Sequence, residues 1–179
     1  MPDSRSAVFL DRDGVLNEVQ LRGGKPYPPA SLAEVHLTSQ AEECLADLKR
    51  RGFLLIVVTN QPDVARGAQT KAAVGEIHAF LSSRLPIDDT YVCYHDDADG
   101  CGCRKPAAGL LVDAARDYGI ELTKSFLIGD RWRDIEAGQR AHCKTVFINY
   151  NYAEKQPASP PTFEATSLRG AVDWILAYE

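Results

Sequence analysis

Two aspartates, Asp11 and Asp13, stand two residues apart directly after the apolar run Ala7–Leu10, and Gly14 follows them. A glycine at that point lets the backbone approach a ligand closely. Other groups able to act on a ligand fall in three further stretches: "TNQPDVARG" from Thr59, "CYHDDADGCGCRKP" from Cys93 and "GDRWRD" from Gly129. Asp11, Asp13 and Asp130 offer hard oxygens, and a site with few other ligands suits magnesium, which keeps several waters and binds phosphate oxygens. Lys105 adds a positive charge and Thr59 a hydroxyl donor. Magnesium and a lysine can clamp a transferring phosphoryl group while a carboxylate attacks it, so the expected chemistry is phosphoryl transfer. Taken singly, each group has a plainer reading: a helix cap for the D-x-D pair, a satisfied backbone group for Thr59, a surface charge for Lys105. Their coincidence is what points to a site.

A second constellation is Cys93, His95, Cys101 and Cys103, spaced C-x-H-x5-C-x-C. Three thiolates and an imidazole complete a tetrahedral zinc shell with no open position, which is the composition of a structural site. Metal binding there would fold the 93–103 loop and set Arg104 and Lys105 beside the first constellation. Cys44 and Cys143 lie on apolar helix faces or ends and read as small core residues.

The elements that must position these groups follow from periodicity. Residues 7–10, 53–59, 90–94, 125–128 and 145–148 are short apolar runs of the kind found in strands covered on both faces. Between them, apolar residues recur with helical spacing: Ala41, Cys44, Leu45 and Leu48, closed by Gly52; Val74, Ile77 and Leu81; Leu111, Ala114, Ala115 and Tyr118, ended by Gly119; more weakly 135–143; and finally Leu168, Ala171, Val172 and Ile175. Alternation of this kind predicts an α/β domain with a doubly wound, mostly parallel sheet. In such sheets ligands bind beyond the carboxyl ends of the strands, and four of the five predicted strands deliver the polar stretches above to that rim. Residues 17–39, with Gly23, Gly24, Pro26, Pro28 and Pro29, read as a long connection, and 153–166 as a surface linker carrying the last helix.

Length and composition bound the rest. The 179 residues fit one domain, 1–179, with a zinc loop at 93–103 and a C-terminal linker and helix at 153–179. A net charge of −5 argues against a nucleic-acid partner. No apolar run reaches the roughly 20 residues that span a membrane, and the N-terminus lacks a signal-peptide stretch. A cytoplasmic monomer is expected, with its cysteines reduced or metal-bound.

"DRDGVLN", "VVTNQPDVARG", "CRKP" and "IGDRWRD" resemble the four motifs of the haloacid dehalogenase (HAD) superfamily of phosphatases, and more narrowly those of the histidinol-phosphatase and heptose-bisphosphate-phosphatase family. The resemblance covers residues 7–149. It implies that Asp11 is the nucleophile and forms an aspartyl-phosphate, and that Asp13 is the general acid and then base. It further implies that Asp11, the backbone carbonyl of Asp13 and Asp130 hold magnesium, that Thr59, Asn60 and Lys105 grip the phosphoryl group, and that Asp134 is an orienting carboxylate. Relatives are expected to carry a longer segment than the one between His95 and Cys101.

The chain has no room for the cap domain of many superfamily members, so loops must line the pocket. They carry Arg22, Lys25, Gln61, Arg66 and Arg104, which suit a small phosphorylated metabolite with a second anionic group, a sugar bisphosphate such as heptose 1,7-bisphosphate. Histidinol phosphate is the alternative, since Glu18, Asp96, Asp97 and Asp99 could welcome an amine; a nucleic-acid 3′-phosphatase is a more distant one. A phospho-ligand-binding module without turnover is the reading from another class.

Overall fold

The computed structural model describes residues 5–178. Its centre is a six-stranded sheet built from β1 (Ala7–Leu10), β4 (Leu54–Asn60), β5 (Asp89–Cys93), β6 (Phe126–Gly129), β7 (Lys144–Ile148) and β8 (Phe163–Ala165). The order is β5-β4-β1-β6-β7-β8, with every pair parallel. After β1 the chain builds outward through β4 and β5, then returns to the other side of β1 for β6. The winding therefore reverses beside β1, and a crevice opens at the carboxyl ends of β1, β4 and β6.

Strand side chains alternate between two cores, as a period of two requires. Val8, Leu10, Leu55 and Val57 meet α1 (Ala41–Arg50), α2 (Lys71–Arg84) and α5 (Leu168–Ala177) on one face. Ala7, Phe9, Leu54, Ile56 and Val58 meet α3 (Gly109–Tyr118) and α4 (Trp132–Arg140) on the other. Thr70 caps α2 by accepting from the Ala73 amide at 3.1 Å, and Ser167 caps α5 by accepting from Gly170 at 3.1 Å. Gly119 ends α3 in the left-handed conformation.

Two stretches differ from the sequence reading. Within 17–39 the chain forms an antiparallel hairpin, β2 (Gln20–Arg22) with β3 (Lys25–Tyr27), turned by Gly23 and Gly24 at positive φ. The linker at 153–166 contains β8, which adds a sixth strand to β7. The fourth helix starts three residues earlier than its apolar pattern, because Asp134 Oδ2 accepts the Arg131 amide and closes the first turn. It ends at Arg140, leaving Cys143 in the turn before β7.

Candidate active site

Asp11 follows β1, Thr59 and Asn60 end β4, and Asp130 follows β6, so the reversal point gathers them by topology. Lys105 arrives from the loop after β5. Its ammonium is buried and uses all three of its protons: 2.8 Å to Asp11 Oδ1, 2.6 Å to Asp134 Oδ1 and 2.7 Å to the Val58 carbonyl. Burial disfavours that charge, yet Asp11 and Asp134 hold its pKa above the ordinary lysine value.

Asp11, Asp130 and Asp134 bring one carboxylate oxygen each within 4.8 Å of the others, all three buried. Burial first, then Asp134, pushes Asp11 up to about 6 against the pull of Lys105. Burial, with Asp11 and Asp134, raises Asp130 well above the usual carboxylate range. With one ammonium facing three carboxylates, the fully ionised cluster carries two surplus negative charges. Asp130 Oδ1 is buried and has no hydrogen-bond partner, while Oδ2 accepts from Tyr152 at 2.8 Å. Asp134 has both oxygens engaged, by Lys105 and by the Arg131 amide. A hard divalent cation fits that surplus and that orphan oxygen. Gly14, at φ +86°, leaves no room for anything larger: a Cβ there would lie 1.9 Å from Asp130 Oδ2.

Asp13 is oriented from several sides. Arg12 grips it bidentately at 3.0 and 2.9 Å, Asn17 Nδ2 donates to Oδ1 at 3.0 Å, and Gln61 Nε2 donates to Oδ2 at 2.9 Å. Burial opposes ionisation, but these partners hold Asp13 below the usual carboxylate range. Gln61 also donates to Thr59 Oγ1 at 2.9 Å. Asn60, expected to grip the phosphoryl group, uses both ends of its amide on the Lys105 peptide, accepting from N and donating to O at 3.0 Å each. In this arrangement its side chain sets the height of Lys105.

A cavity of about 220 Å³ opens over the carboxylates. Among its lining residues are Lys25, Arg66, Arg131, Arg133, Asp63 and Glu154. Arg66 pairs with Asp96 at 2.5 Å, Arg133 with Asp97 at 3.0 Å, and Arg131 with Glu154. No carboxylate of the described residues pairs with Lys25. Asp96, Asp97 and Asp99 line no part of the cavity; the first two face arginines and the third accepts the Asp96 amide at 2.7 Å. Arg22 and Arg104 also stand outside the lining. Arg22 lies over Tyr27 in the hairpin, and Arg104 donates through Nε to Asp97 at 2.8 Å while its buried Nη1 has no partner. Arg131, Arg133, Tyr152 and Glu154 escaped the sequence reading. The two arginines sit inside "GDRWRD", so their place at the rim was open to inference; Tyr152 and Glu154 come from a stretch with no periodicity. His78 meets Arg12 Nη1 at 3.2 Å.

The second constellation also closes. Cys103 Sγ lies 3.1 Å from Cys93, 3.5 Å from Cys101 and 3.3 Å from His95 Nδ1, and Cys93 lies 3.7 Å from Cys101 and 3.6 Å from His95. These spacings are too long for disulfides. They approximate the edges of a tetrahedron with bonds of about 2.0–2.3 Å, which is a zinc shell. Gly109 fits beneath the loop, where a Cβ would come within 2.3 Å of the Gly102 carbonyl oxygen.

The HAD-hydrolase-like family model matches residues 102–171. The D-glycero-beta-D-manno-heptose-1,7-bisphosphate 7-phosphatase of Helicobacter pylori strain J99 is 30% identical, over 98% of this chain and 99% of that one. Its namesake in Escherichia coli K12 is 31% identical, over 98% of this chain and 91% of the other. Among solved structures, the D,D-heptose 1,7-bisphosphate phosphatase of B. bronchiseptica, complexed with magnesium and phosphate, superposes with a TM-score of 0.78 at 26% identity, over 96% of this chain and 98% of that one. Similar in sequence along nearly its whole length and alike in fold, the chain belongs to the heptose-bisphosphate phosphatase family of the HAD-like hydrolases.

Proposed function

We propose that this chain removes one phosphate from a heptose 1,7-bisphosphate, by way of a phosphorylated Asp11. The observation that carries this reading is the buried Asp11–Lys105–Asp134 bridge beside Asp130, at the floor of a cavity walled by Lys25, Arg66, Arg131 and Arg133. Asp11 attacks phosphorus, and the bond from phosphorus to the sugar oxygen breaks. Asp13 gives that oxygen its proton. It takes one from water in the second step, as hydroxide attacks the acyl phosphate, restoring the Asp11 carboxylate and releasing inorganic phosphate. Asp13 is ionised before substrate arrives; an incoming phosphate dianion raises its proton affinity by like-charge repulsion, and it takes up from solvent the proton it then donates.

Asp11, Asp130 and the Asp13 carbonyl would hold magnesium, with Asp134 orienting. Bound there, magnesium would neutralise charge on the transferring group. Cys93, His95, Cys101 and Cys103 would hold zinc and so fix the loop that carries Lys105. Thr59 is placed to steady Gln61, and through it Asp13.

Lys25, with which no carboxylate of the described residues pairs, supports a second anionic group on the substrate, and the rim arginines would grip it by exchanging their carboxylate partners for it. Histidinol's ammonium would meet the unpaired Lys25 unfavourably. The test is to follow phosphate release with magnesium from heptose 1,7-bisphosphate and from histidinol phosphate on one preparation, with phosphorus NMR of the sugar product. The expected result is a higher kcat/KM for the bisphosphate, with the anomeric phosphate retained. Equal values, or a preference for histidinol phosphate, would overturn the substrate assignment.

A further inference from the structure

Arg12 stands between the two aspartates in sequence and is wholly buried. A buried guanidinium is costly unless its N–H groups find partners. Nε and Nη2 form the fork on Asp13, and Nη1 meets His78 Nε2 at 3.2 Å. His78 lies on α2, 66 positions along the chain and on no strand end. Burial first, then the Arg12 charge, pushes the imidazole down to about 4, with Asp13 opposing only weakly. At neutral pH the ring is therefore uncharged. Its Nε2 lone pair accepts from Arg12, which places the ring proton on Nδ1. The guanidinium is held at both ends: by a helix on one side and by the carboxylate it orients on the other. A bidentate fork fixes the plane of a carboxylate as well as its position.

We infer that His78 is a positioning residue for proton transfer: by accepting from Arg12 Nη1 it anchors the guanidinium that orients the Asp13 carboxyl group. The inference rests on the reading of Asp13 as general acid. Its consequence is selective. A sugar alkoxide needs a proton in order to leave, whereas p-nitrophenolate leaves with little help. Loss of the anchor should therefore weaken turnover of alkyl phosphates more than that of p-nitrophenyl phosphate. Since kcat/KM covers the steps up to phosphoryl transfer onto Asp11, it isolates the step in which Asp13 donates.

The experiment compares kcat/KM for a sugar phosphate and for p-nitrophenyl phosphate, with magnesium present, in the parent and in Asp13→Asn, His78→Leu, His78→Ala and His78→Gln. Thermal unfolding of each variant is followed alongside. Asp13→Asn calibrates the assay: it should lower the sugar-to-aryl ratio by about 10²-fold or more. If it does not, the role given to Asp13 is wrong, whatever His78 does. With that calibration met, His78→Leu and His78→Ala should each lower the ratio about tenfold, as a displaced catalytic group does. His78→Gln, whose amide oxygen can accept from Arg12, should restore most of it. Two acceptor-free variants keep the comparison standing if one fails to fold. Equal losses on both substrates, no loss on either, or a glutamine variant no better than leucine would overturn the inference.

Discussion

The molecule holds two ligand clusters of opposite construction. Asp11 lies more than a hundred positions before Asp130 and Asp134; all three are buried and carry more charge than Lys105 balances. Cys93, His95, Cys101 and Cys103 fall within eleven residues, lie partly at the surface and approach one another at 3.1–3.7 Å in five of their six pairings. The first cluster exists only once the sheet has formed, and it keeps an unpartnered oxygen and an open cavity. The second is local and closed. A site meant to exchange ligands is left electrostatically incomplete by a rigid scaffold; a site meant to hold a loop is complete in itself.

The sharpest way to break this contrast is Asp11→Asn. A neutral amide cannot attack phosphorus, so turnover should vanish while the fold survives; retention of more than about 1% of the activity would remove Asp11 from the nucleophile's role. Next comes Cys101→Ser. Because a closed zinc site supplies folding free energy, this variant should bind less than a full equivalent of zinc by elemental analysis. It should also unfold at a lower temperature and lose activity, since Lys105 lies two residues past Cys103. A full equivalent of zinc in the variant would show the ligand set to be wrong. The parent should keep its one equivalent of zinc when magnesium is stripped from the protein, since closed thiolate sites bind zinc far more tightly than oxygen sites hold magnesium.

A smaller and opposite effect is expected at the carboxylates. Asp130 has a raised folded-state pKa, so the unfolded chain binds fewer protons and stability falls as pH rises from about 4. In chelator, Asp130→Asn should therefore melt higher than the parent at pH 7.5, with the advantage shrinking to nothing near pH 4. The same variant should lose the rise in melting temperature that magnesium gives the parent. A lower melting temperature in chelator at pH 7.5 would contradict the charge surplus. Smallest is Arg104→Ala, at the junction of the two clusters. Arg104 stands outside the cavity lining with Nη1 buried, so a part in recognition requires its side chain to leave Asp97 and swing toward the cavity. The variant should lose about threefold to tenfold in kcat/KM for the bisphosphate and less for an aryl phosphate, on the scale of one ordinary net hydrogen bond. Equal losses on the two substrates would place Arg104 outside recognition.

How legible each region was follows from the range of the forces involved. The β1, β4 and β6 runs are continuously apolar because both their faces are covered, so the strand ends, and with them Asp11, Thr59 and Asp130, could be read directly. The zinc quartet was legible because its spacing is local. β8 was hidden: it has three residues and owes its existence to a neighbour already in place. The hairpin had a usable signal, the Gly23–Gly24 pair between short extended runs, obscured by the prolines after it. Arg12 gave no signal, because an arginine is ordinarily a surface residue. Only the folded structure reveals that helix α2 brings it a histidine.

Gly14 has a consequence for any map of mutational tolerance. Its positive φ and the 1.9 Å approach to Asp130 deny the position even a methyl group. A saturation library scored for phosphate release should rank it as intolerant as Asp11. Alanine at Gly14 should fail by displacing Asp130, so its activity should recover partly at high magnesium, which no concentration of metal can do for Asp11→Asn. Two columns equally empty of survivors would then mean different things: at one the reacting atoms are missing, and at the other an atom has been added where the chemistry needs vacant space.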